Sequence, residues 1–375
     1  MAAPSDPIAA VTHPDPYPYY AGLVAERPLH RDAGLGLWVA AGASAVTAVL
    51  TSEIGRVRPA AEPVPRALVG SPAGDIFRHL VRMNDGAPHL RLKPGVSAKL
   101  AMLDPKQVVE QSGAWARRLA AELDPAGDHG RIADFAFRLP AYTVGALLGV
   151  VPDALAPTAA WVGDFVRCLA PAATPEQLER GKAAAADLTR LFCALMRRDA
   201  LDPTVANTIG FLSQAYEATA GLIGNTLVAL GRHPELLARV GAEPTLLRAV
   251  VREVVRHDPP VQNTRRFIAG DGVVAGQALH DGDTVLVILA AANRDPSANP
   301  HPDRFDHQRR ERQAYTFGVG AHACPGEALA TAIAEAGVVA LLAARVEPAR
   351  LVEHVTYRPS ANTRVPRFGS AEGWS

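Results

Sequence analysis

The sequence predicts a mainly α-helical protein with a small β region. Alanine, leucine, valine and arginine dominate the chain, and apolar residues recur at helical spacing over residues 179–198, 209–232 and 246–257. Shorter alternating or β-branched runs predict strands at residues 37–39, 272–279 and 284–288. The expected architecture is therefore a helical body that carries a small sheet.

Prolines and interrupting charges mark where these helices begin, turn and end. Proline-rich punctuation at residues 151–157, at residues 171–175 and at Pro203 predicts turns between helices. The most apolar helix, residues 328–346, contains Glu335 and Arg345, so it is expected to be a buried core helix and not a membrane span. The first twenty residues hold five prolines and no sustained apolar stretch, which predicts neither a signal peptide nor an anchor.

Charge and cysteine content exclude several classes of protein. The 375 residues include 38 basic and 38 acidic side chains, so no overall field draws the protein to nucleic acid or to an anionic membrane. Cys168, Cys193 and Cys324 are an odd, widely spaced set without a C-x-x-C pair. Neither a disulfide framework nor a zinc site is expected, and a reducing cytoplasm fits best.

The most informative segment is a glycine-rich loop, residues 317–326, that places Cys324 just before an alanine-rich helix. A lone cysteine is more often a small buried hydrophobe. Here the helix N-terminus and the loop N–H groups would favour a thiolate. Gly318 and Gly320 would let the main chain approach a flat macrocycle closely. The loop is therefore interpreted as a cradle for heme iron.

The loop matches F-G-x-G-x-H-x-C-x-G and so resembles the heme-ligand signature of the cytochrome P450 family. The resemblance implies heme b, with Cys324 as the iron ligand, His322 at a heme propionate, and Phe317, Gly318 and Gly326 shaping the loop. It also implies a heme between a central distal helix and the proximal cysteine-bearing loop and helix. Because the resemblance extends over nearly the whole chain, one domain is expected over residues 1–375.

Further cations are expected at the heme propionates, because a guanidinium matches carboxylate geometry. Arg266 matches the family's R-x-x-x-x-D-x-x-x-x-G pattern, and His89 and Lys93 match its H-x-x-x-R pattern with lysine in place of arginine. Pro94 follows directly, so the helix is expected to be shortened or kinked at Lys93. The alternative for His89 is an exposed loop histidine.

Glu253 and Arg256 lie at i and i+3 and share one helix face. A surface ion pair would explain this spacing equally well. The resemblance instead implies a buried network behind the cysteine loop that a further arginine or histidine joins, with a role in folding. The cluster of Arg309, Arg310 and Arg312 is expected either to attract an acidic electron carrier or to be a solvated charge run.

Residues 214–219 resemble the family's A-G-x-[DE]-T-T motif on the distal helix, and the most informative departure from it is at Ala218. Glu217 takes the acid position and is expected to help supply protons, whereas Ala218 replaces the usual threonine, which steadies bound oxygen. Ala215 keeps the oxygen site small, and Gln214 adds a side chain. Three alternatives stay open: Thr219 or a substrate hydroxyl replaces the missing group, Gln214 organises water, or the reaction does not need ordinary oxygen cleavage.

The resemblance also places the substrate pocket, which it implies is lined by the segment after Asp75, the distal helix, residues 261–264 and residues 360–363. Gln214, Ala215, Gln262, Asn263 and Asn362 are therefore expected to bind substrate. Converging carboxamides would favour a polar substrate, since an unsatisfied buried polar group is unfavourable. Alternatively, these amides satisfy local main-chain groups.

The predicted function is oxidation of a small polar molecule in specialised metabolite biosynthesis, with O2 and with electrons from a ferredoxin and its reductase. The change at Ala218 keeps an alternative open: heme chemistry such as oxidative coupling, peroxide use, nitrogen-group transfer or dehydration. A non-catalytic heme sensor or carrier is the third possibility. Only residues 199–208 separate two predicted helices, so a peripheral helix found in many relatives is expected to be missing.

Overall fold

A computed structural model describes residues 3–369. The α-helices are α1 (Tyr17–Glu26), α2 (Ala43–Thr51), α3 (Pro72–His79), α4 (Gly86–Ala101), α5 (Pro105–Leu123), α6 (Arg131–Leu147), α7 (Pro152–Cys168), α8 (Pro175–Met196), α9 (Pro203–Arg232), α10 (Pro234–Ala242), α11 (Leu247–His257), α12 (Leu289–Asn293), α13 (Glu327–Ala343) and α14 (Pro348–Leu351). The strands are β1 (Leu29–Asp32), β2 (Leu37–Ala40), β3 (Gly55–Arg56), β4 (Thr264–Ile268), β5 (Gly272–Val274), β6 (Gln277–Leu279), β7 (Thr284–Val287), β8 (Thr356–Tyr357) and β9 (Pro366–Arg367). The predicted class, mainly α with a small β region, is confirmed.

The central helix α9 is longer than the sequence pattern predicted. It begins at Pro203, six positions before the first predicted residue, because the Asp202 carboxylate accepts hydrogen bonds from the N–H groups of Thr204 and Val205 and caps the helix. Since α8 ends at Met196, only residues 197–202 connect the two helices. The connection is shorter than the ten residues expected, and it contains no helix.

The strands form one larger sheet and two hairpins. The sheet has the order β1-β2-β7-β4-β3, in which β2 and β7 run parallel and the other neighbours antiparallel. The strand predicted over residues 272–279 is in fact a hairpin, because Ala275 and Gly276 adopt positive φ values of 49° and 79° and turn the chain between β5 and β6. The strand β4 of the larger sheet carries Arg265 and Arg266.

The helix α4 continues through Pro94 to Ala101, so the predicted shortening at Lys93 is wrong. Proline removes one helical hydrogen bond, but contacts on both sides of it hold the helix. Lys93 Nζ donates to the Ala323 carbonyl at 2.7 Å, and Lys99 Nζ contacts Thr208 Oγ1 at 2.9 Å. Tertiary contacts therefore override the local preference.

The largest hydrophobic core surrounds α9, which is buried along most of its length between α6, α8 and α13. The helix predicted over residues 328–346 is α13, and its inner face is part of this core. Among the described residues, no single helix combines the length and hydrophobicity needed to cross a bilayer; two segments bent by 104°, Glu327–Ala343 and Pro348–His354, meet those criteria only when they are taken together.

Candidate active site

The cysteine loop folds back on itself before α13 begins. The Cys324 N–H donates to the Phe317 carbonyl at 2.8 Å, and the Gly326 N–H points at the Cys324 sulfur at 3.4 Å. Gly318 and Gly320 adopt positive φ values of 68° and 74°, which favour glycine. A Cβ at Gly320 would lie 3.0 Å from a side-chain carbon of Thr51. These contacts hold the sulfur in place at the mouth of the helix.

The Cys324 side chain is accessible to solvent, yet burial raises the pKa of its thiol. Both observations hold for a group at the bottom of a concave surface. The Gly326 N–H and the Lys93 ammonium oppose that shift, whereas the Glu327 carboxylate adds to it. A metal cation bound by the sulfur would favour the thiolate strongly, because coordination deprotonates a thiol.

Two histidines meet at this loop. The rings of His89 and His322 lie 4.3 Å apart, and His322 Nε2 lies 3.0 Å from an Asp85 carboxylate oxygen. His89 is buried and its Nε2 has no partner. Burial lowers the pKa of His89, and the charges of His322 and Lys93 lower it further. His89 is therefore a buried group with an unused donor, not the exposed loop histidine of the alternative.

Asp85 is a site residue that the sequence analysis missed. Burial would raise the pKa of its carboxyl, but hydrogen bonds from His322 and from the Val57 N–H hold the pKa below its ordinary value. Asp85 is the N-cap residue of α4, four positions before His89. Arg266, on β4, is buried, and its Nη1 donates to the Arg265 carbonyl at 2.9 Å. Burial lowers the pKa of Arg266, and the Asp85 carboxylate opposes this shift.

These residues fit a heme. The accessible thiol of Cys324, in its glycine-lined loop, supplies one iron ligand. The unpartnered Nε2 of His89 supplies a hydrogen-bond donor that lacks an acceptor. Arg266 adds a guanidinium that suits a carboxylate, and His322 adds a ring nitrogen beside it. Lys93 lies in the same cluster, but its ammonium binds the Ala323 carbonyl inside the loop. Burial lowers the Lys93 pKa, and the Cys324 charge opposes this.

The distal helix α9 presents Gln214 and Ala218 one turn apart, on the same face. Gln214 is exposed, but its Nε2 donates to the Gly210 carbonyl at 2.8 Å. Ala215 and Ala218 are half-buried, so the face is small and apolar there. Thr219 is fully buried and its hydroxyl has no partner, so it does not share that accessible face. The geometry gives no support to replacement of the missing hydroxyl by Thr219.

Glu217 points toward cations that come from distant parts of the chain. Burial raises the pKa of its carboxyl, and Arg358 and then Arg167 oppose the shift. The guanidinium of Arg358 stacks 4.5 Å from the Phe137 ring, which itself lies 4.9 Å from the ring of Tyr216. A carboxyl in these surroundings is able to hold and release a proton nearer to neutral pH than an ordinary glutamic acid. No local motif connects these segments in the sequence.

Two of the predicted substrate-binding amides are buried and engaged with the main chain. Gln262 Nε2 donates to the Pro259 carbonyl at 2.7 Å, and its Oε1 has no partner. Asn263 Nδ2 donates to the Ala361 carbonyl at 2.8 Å. Asn362 is exposed, and its carbonyl accepts from the Gln262 N–H. The structure thus favours the main-chain alternative for Gln262 and Asn263.

The predicted buried network behind the loop is confirmed. Glu253 and Arg256 both have side chains with 0% exposure and lie 2.7 Å apart. Arg312 Nε contacts the second Glu253 oxygen at 2.9 Å, and Arg309 Nε lies 3.6 Å from the first. These two arginines therefore do not form the solvated cationic patch that was one expectation; Arg310 remains exposed.

The chain is similar to one family of known proteins. A family model described as Cytochrome P450 matches residues 178–345. "Cytochrome P450 monooxygenase PikC" of Streptomyces venezuelae is 31% identical over 362 residues, which cover 88% of this chain and 83% of that protein. Cytochrome P450 133B2 of Xylella fastidiosa strain 9a5c is 30% identical over 251 residues, and the match covers 60% of this chain and only 62% of that relative.

Solved structures agree with the fold. The structure of CalO2 superimposes with a TM-score of 0.82 at 27% identity and covers 98% of this chain and 99% of that chain. The structure of P450BioI, in complex with an acyl carrier protein carrying hexadec-9Z-enoic acid, superimposes with a TM-score of 0.80 at 24% identity, with 94% and 98% coverage. The second likeness concerns the fold alone.

Proposed function

Because the chain belongs to the cytochrome P450 family, we propose that it is a heme-thiolate oxidoreductase that oxidises a small polar molecule with O2 and with electrons from a ferredoxin and its reductase. The observation that carries the proposal is the placement of Cys324: its sulfur is accessible, a main-chain N–H points at it, and cationic side chains flank its loop. Two relatives bear the names PikC monooxygenase and 6-deoxyerythronolide B hydroxylase. Those names support oxygen insertion, and a role in specialised metabolite biosynthesis stays a prediction.

Each residue of the cluster has a proposed task. Cys324 would hold the iron, with Phe317, Gly318 and Gly326 shaping its loop, and the proposal keeps His89, Lys93, Arg266 and His322 as donors to the heme carboxylates. Heme b with a thiolate ligand supplies the activation of dioxygen. The protein contributes position and electrostatics: the Gly326 N–H moderates the charge on the sulfur, and the unpartnered His89 Nε2 offers a hydrogen bond to a carboxylate.

Glu217 is proposed to hold and transfer protons. Burial raises the pKa of its carboxyl, so the protonated form persists nearer to neutral pH. Ala215 and Ala218 would leave room beside the helix, and the exposed amides of Gln214 and Asn362 remain the best placed of the predicted substrate contacts. A cytoplasmic location and the ferredoxin partner stay predictions.

A second candidate is heme chemistry that does not insert oxygen, such as oxidative coupling, peroxide use, nitrogen-group transfer or dehydration. The observation that favours it is the accessible face of α9, where Ala218 carries no hydroxyl and the Thr219 hydroxyl is enclosed in the core. Assistance to proton transfer contributes about 10²–10⁴-fold to a proton-dependent step, so the loss of a hydroxyl at position 218 matters to ordinary hydroxylation.

The first experiment tests the thiolate. The purified protein is reduced under carbon monoxide, and its absorption spectrum is compared with those of Cys324→Ser and of the control Cys193→Ser, at a second free cysteine. The thiolate-type spectrum should disappear only in Cys324→Ser. An unchanged spectrum in that variant would refute the proposal.

The second experiment separates the two kinds of chemistry. A panel of polar and apolar metabolites is screened by the iron spin-state change, and each binder is turned over under isotopically labelled dioxygen. Hydroxylation places one labelled atom in the product. In that case Ala218→Thr should raise the share of reducing equivalents that appears in product, whereas turnover without label supports the second candidate. Binding without any consumption of reductant would instead indicate a sensor or carrier.

A further inference from the structure

One face of the helix α4 contacts the cysteine loop at three points. The N-cap residue Asp85 and the helical residues His89 and Lys93 are spaced four positions apart, so they lie along the same side. The Asp85 carboxylate lies 3.0 Å from His322 Nε2, and the His89 ring centre lies 4.3 Å from that of His322. Lys93 Nζ donates to the Ala323 carbonyl at 2.7 Å. All three contacts fall on the two residues that directly precede the cysteine.

The helix that makes these contacts is itself fixed at both ends. At its start, the Asp85 carboxylate accepts a hydrogen bond from the Val57 N–H at 3.0 Å. Near its end, Lys99 Nζ donates to Thr208 Oγ1 of α9 at 2.9 Å. A residue on an anchored helix holds its partner more precisely than a residue on a loop does.

The contact from Lys93 reaches the main chain of the loop. The Ala323 carbonyl belongs to the same peptide group as the Cys324 N–H, which donates to the Phe317 carbonyl at 2.8 Å. Because a peptide group is planar, hydrogen bonds at both of its polar atoms fix the orientation of the whole group. The helix and the loop thus hold, from opposite ends, the peptide group from which Cys324 continues.

The Ala323 carbonyl depends on Lys93 for its hydrogen bond. Within residues 3–369 no main-chain N–H donates to this carbonyl. A lysine suits a single carbonyl, because its ammonium is a compact charge on a flexible stem, whereas a guanidinium presents a planar fork that matches a carboxylate. An ammonium has three donor protons, so the bond to Ala323 leaves two for a heme carboxylate.

We infer that Lys93 is a positioning residue for the iron ligand, which fixes the peptide group before Cys324 and places a positive charge there. This inference rests on the proposed function, whose iron ligand it concerns. An ammonium bound to the carbonyl polarises the peptide group and strengthens the hydrogen bond that the Cys324 N–H donates at its other end. A positive charge near a thiolate also draws electron density away from iron, so it should make the heme easier to reduce.

The test measures the ease of heme reduction and the order of the loop. Lys93→Met removes the charge and the donor but keeps an unbranched side chain of similar length. In a potentiometric titration of the holoprotein, the ferrous-to-ferric ratio at a fixed potential should be about ten-fold lower in Lys93→Met, which corresponds to about 59 mV for a one-electron couple. In hydrogen exchange followed by mass spectrometry, the amides of the peptide that covers residues 317–326 should exchange about ten-fold faster.

The controls separate the contact from the general field of the protein. Arg91→Met removes a cation from an exposed position on the same helix and should leave the potential and the exchange rate unchanged. Lys93→Arg keeps the positive charge and should recover part of both. Lys93→Gln is the second variant if Lys93→Met does not fold, and it should lower the potential in the same direction. An unchanged potential in the folded neutral variant, or an equal shift in Arg91→Met, overturns the inference.

A role at a heme carboxylate alone gives a different result. In that case Lys93→Met lowers the heme-to-protein ratio while the loop amides exchange at the native rate, and the inference is wrong. If the native protein lacks the thiolate-type spectrum, the proposed function fails instead. Hydrogen exchange of the loop in Lys93→Met then still decides whether Lys93 fixes this peptide group.

Discussion

Removing the charge of Glu253 should destabilise the protein far more than removing a surface carboxylate. Glu253 accepts charge-assisted hydrogen bonds from Arg256 Nε, Arg256 Nη2 and Arg312 Nε, at 3.1, 2.7 and 2.9 Å. At about 1.5 kcal/mol each, these three bonds sum to about 4.5 kcal/mol. Breaking a buried pair by removing one partner costs about 3–5 kcal/mol, which agrees with this sum. We therefore expect Glu253→Gln to lower the free energy of unfolding by about 3–5 kcal/mol.

The assay is urea unfolding of the holoprotein, followed by far-ultraviolet circular dichroism and by heme absorbance. The matched control is Glu176→Gln, which breaks an exposed i,i+4 pair with Arg180 at 3.1 Å and should change stability by about 0.3–0.5 kcal/mol. Because Arg309 and Arg312 precede the cysteine loop, the heme signal should be lost at lower urea together with the helical signal. The reasoning is refuted if Glu253→Gln loses no more stability than Glu176→Gln.

Three further predictions concern the loop, the proton path and the ligand. Gly320→Ala adds a Cβ at a φ of 74° and 3.0 Å from a neighbouring carbon. The unfolding free energy should therefore fall by about 1–3 kcal/mol, and the heme-to-protein ratio should fall with it. The control Gly36→Ala, at a φ of 66° in open space, should keep the heme. Product formation should fall as pH rises through the raised pKa of Glu217, because the carboxyl loses its proton. This dependence on pH should be absent in Glu217→Gln. An identical pH profile in both proteins contradicts a role of Glu217 in proton transfer. Added hemin should protect Cys324 from alkylation, which is measured by peptide mass spectrometry. Cys168, whose pKa burial raises to about 11, should stay unreactive with and without hemin. Equal labelling of Cys324 in both samples would contradict its assignment as the iron ligand.

Local sequence patterns predicted the parts of the fold that local physics controls. The long amphipathic helices follow from apolar spacing, and the cysteine loop and the pairing of Glu253 with Arg256 follow from short motifs. The strand β4 was not predicted because its sequence, Thr-Arg-Arg-Phe-Ile, is rich in charge and pairs with β7 and β3 only in the folded chain. The true start of α9 depended on a single cap, Asp202.

The site was predicted less completely than the fold, because its missing members come from contacts between distant segments. Asp85 acquires its role from His322, 237 positions away, and Glu217 acquires its surroundings from Arg167 and Arg358. For the amide of Gln262 the sequence left both substrate binding and a local main-chain partner open, and the folded chain supplies the Pro259 carbonyl. A motif identifies which residues carry chemistry, whereas the counter-charges around them depend on the tertiary structure.

The composition of the α9 face limits what this helix can contribute to the orientation of a ligand. Ala215 and Ala218 offer no side-chain hydrogen bond, and the Nε2 of Gln214 already donates to the Gly210 carbonyl. A ligand beside this face would therefore find few free polar groups on the helix itself, and directional contacts would have to come from other segments of the chain.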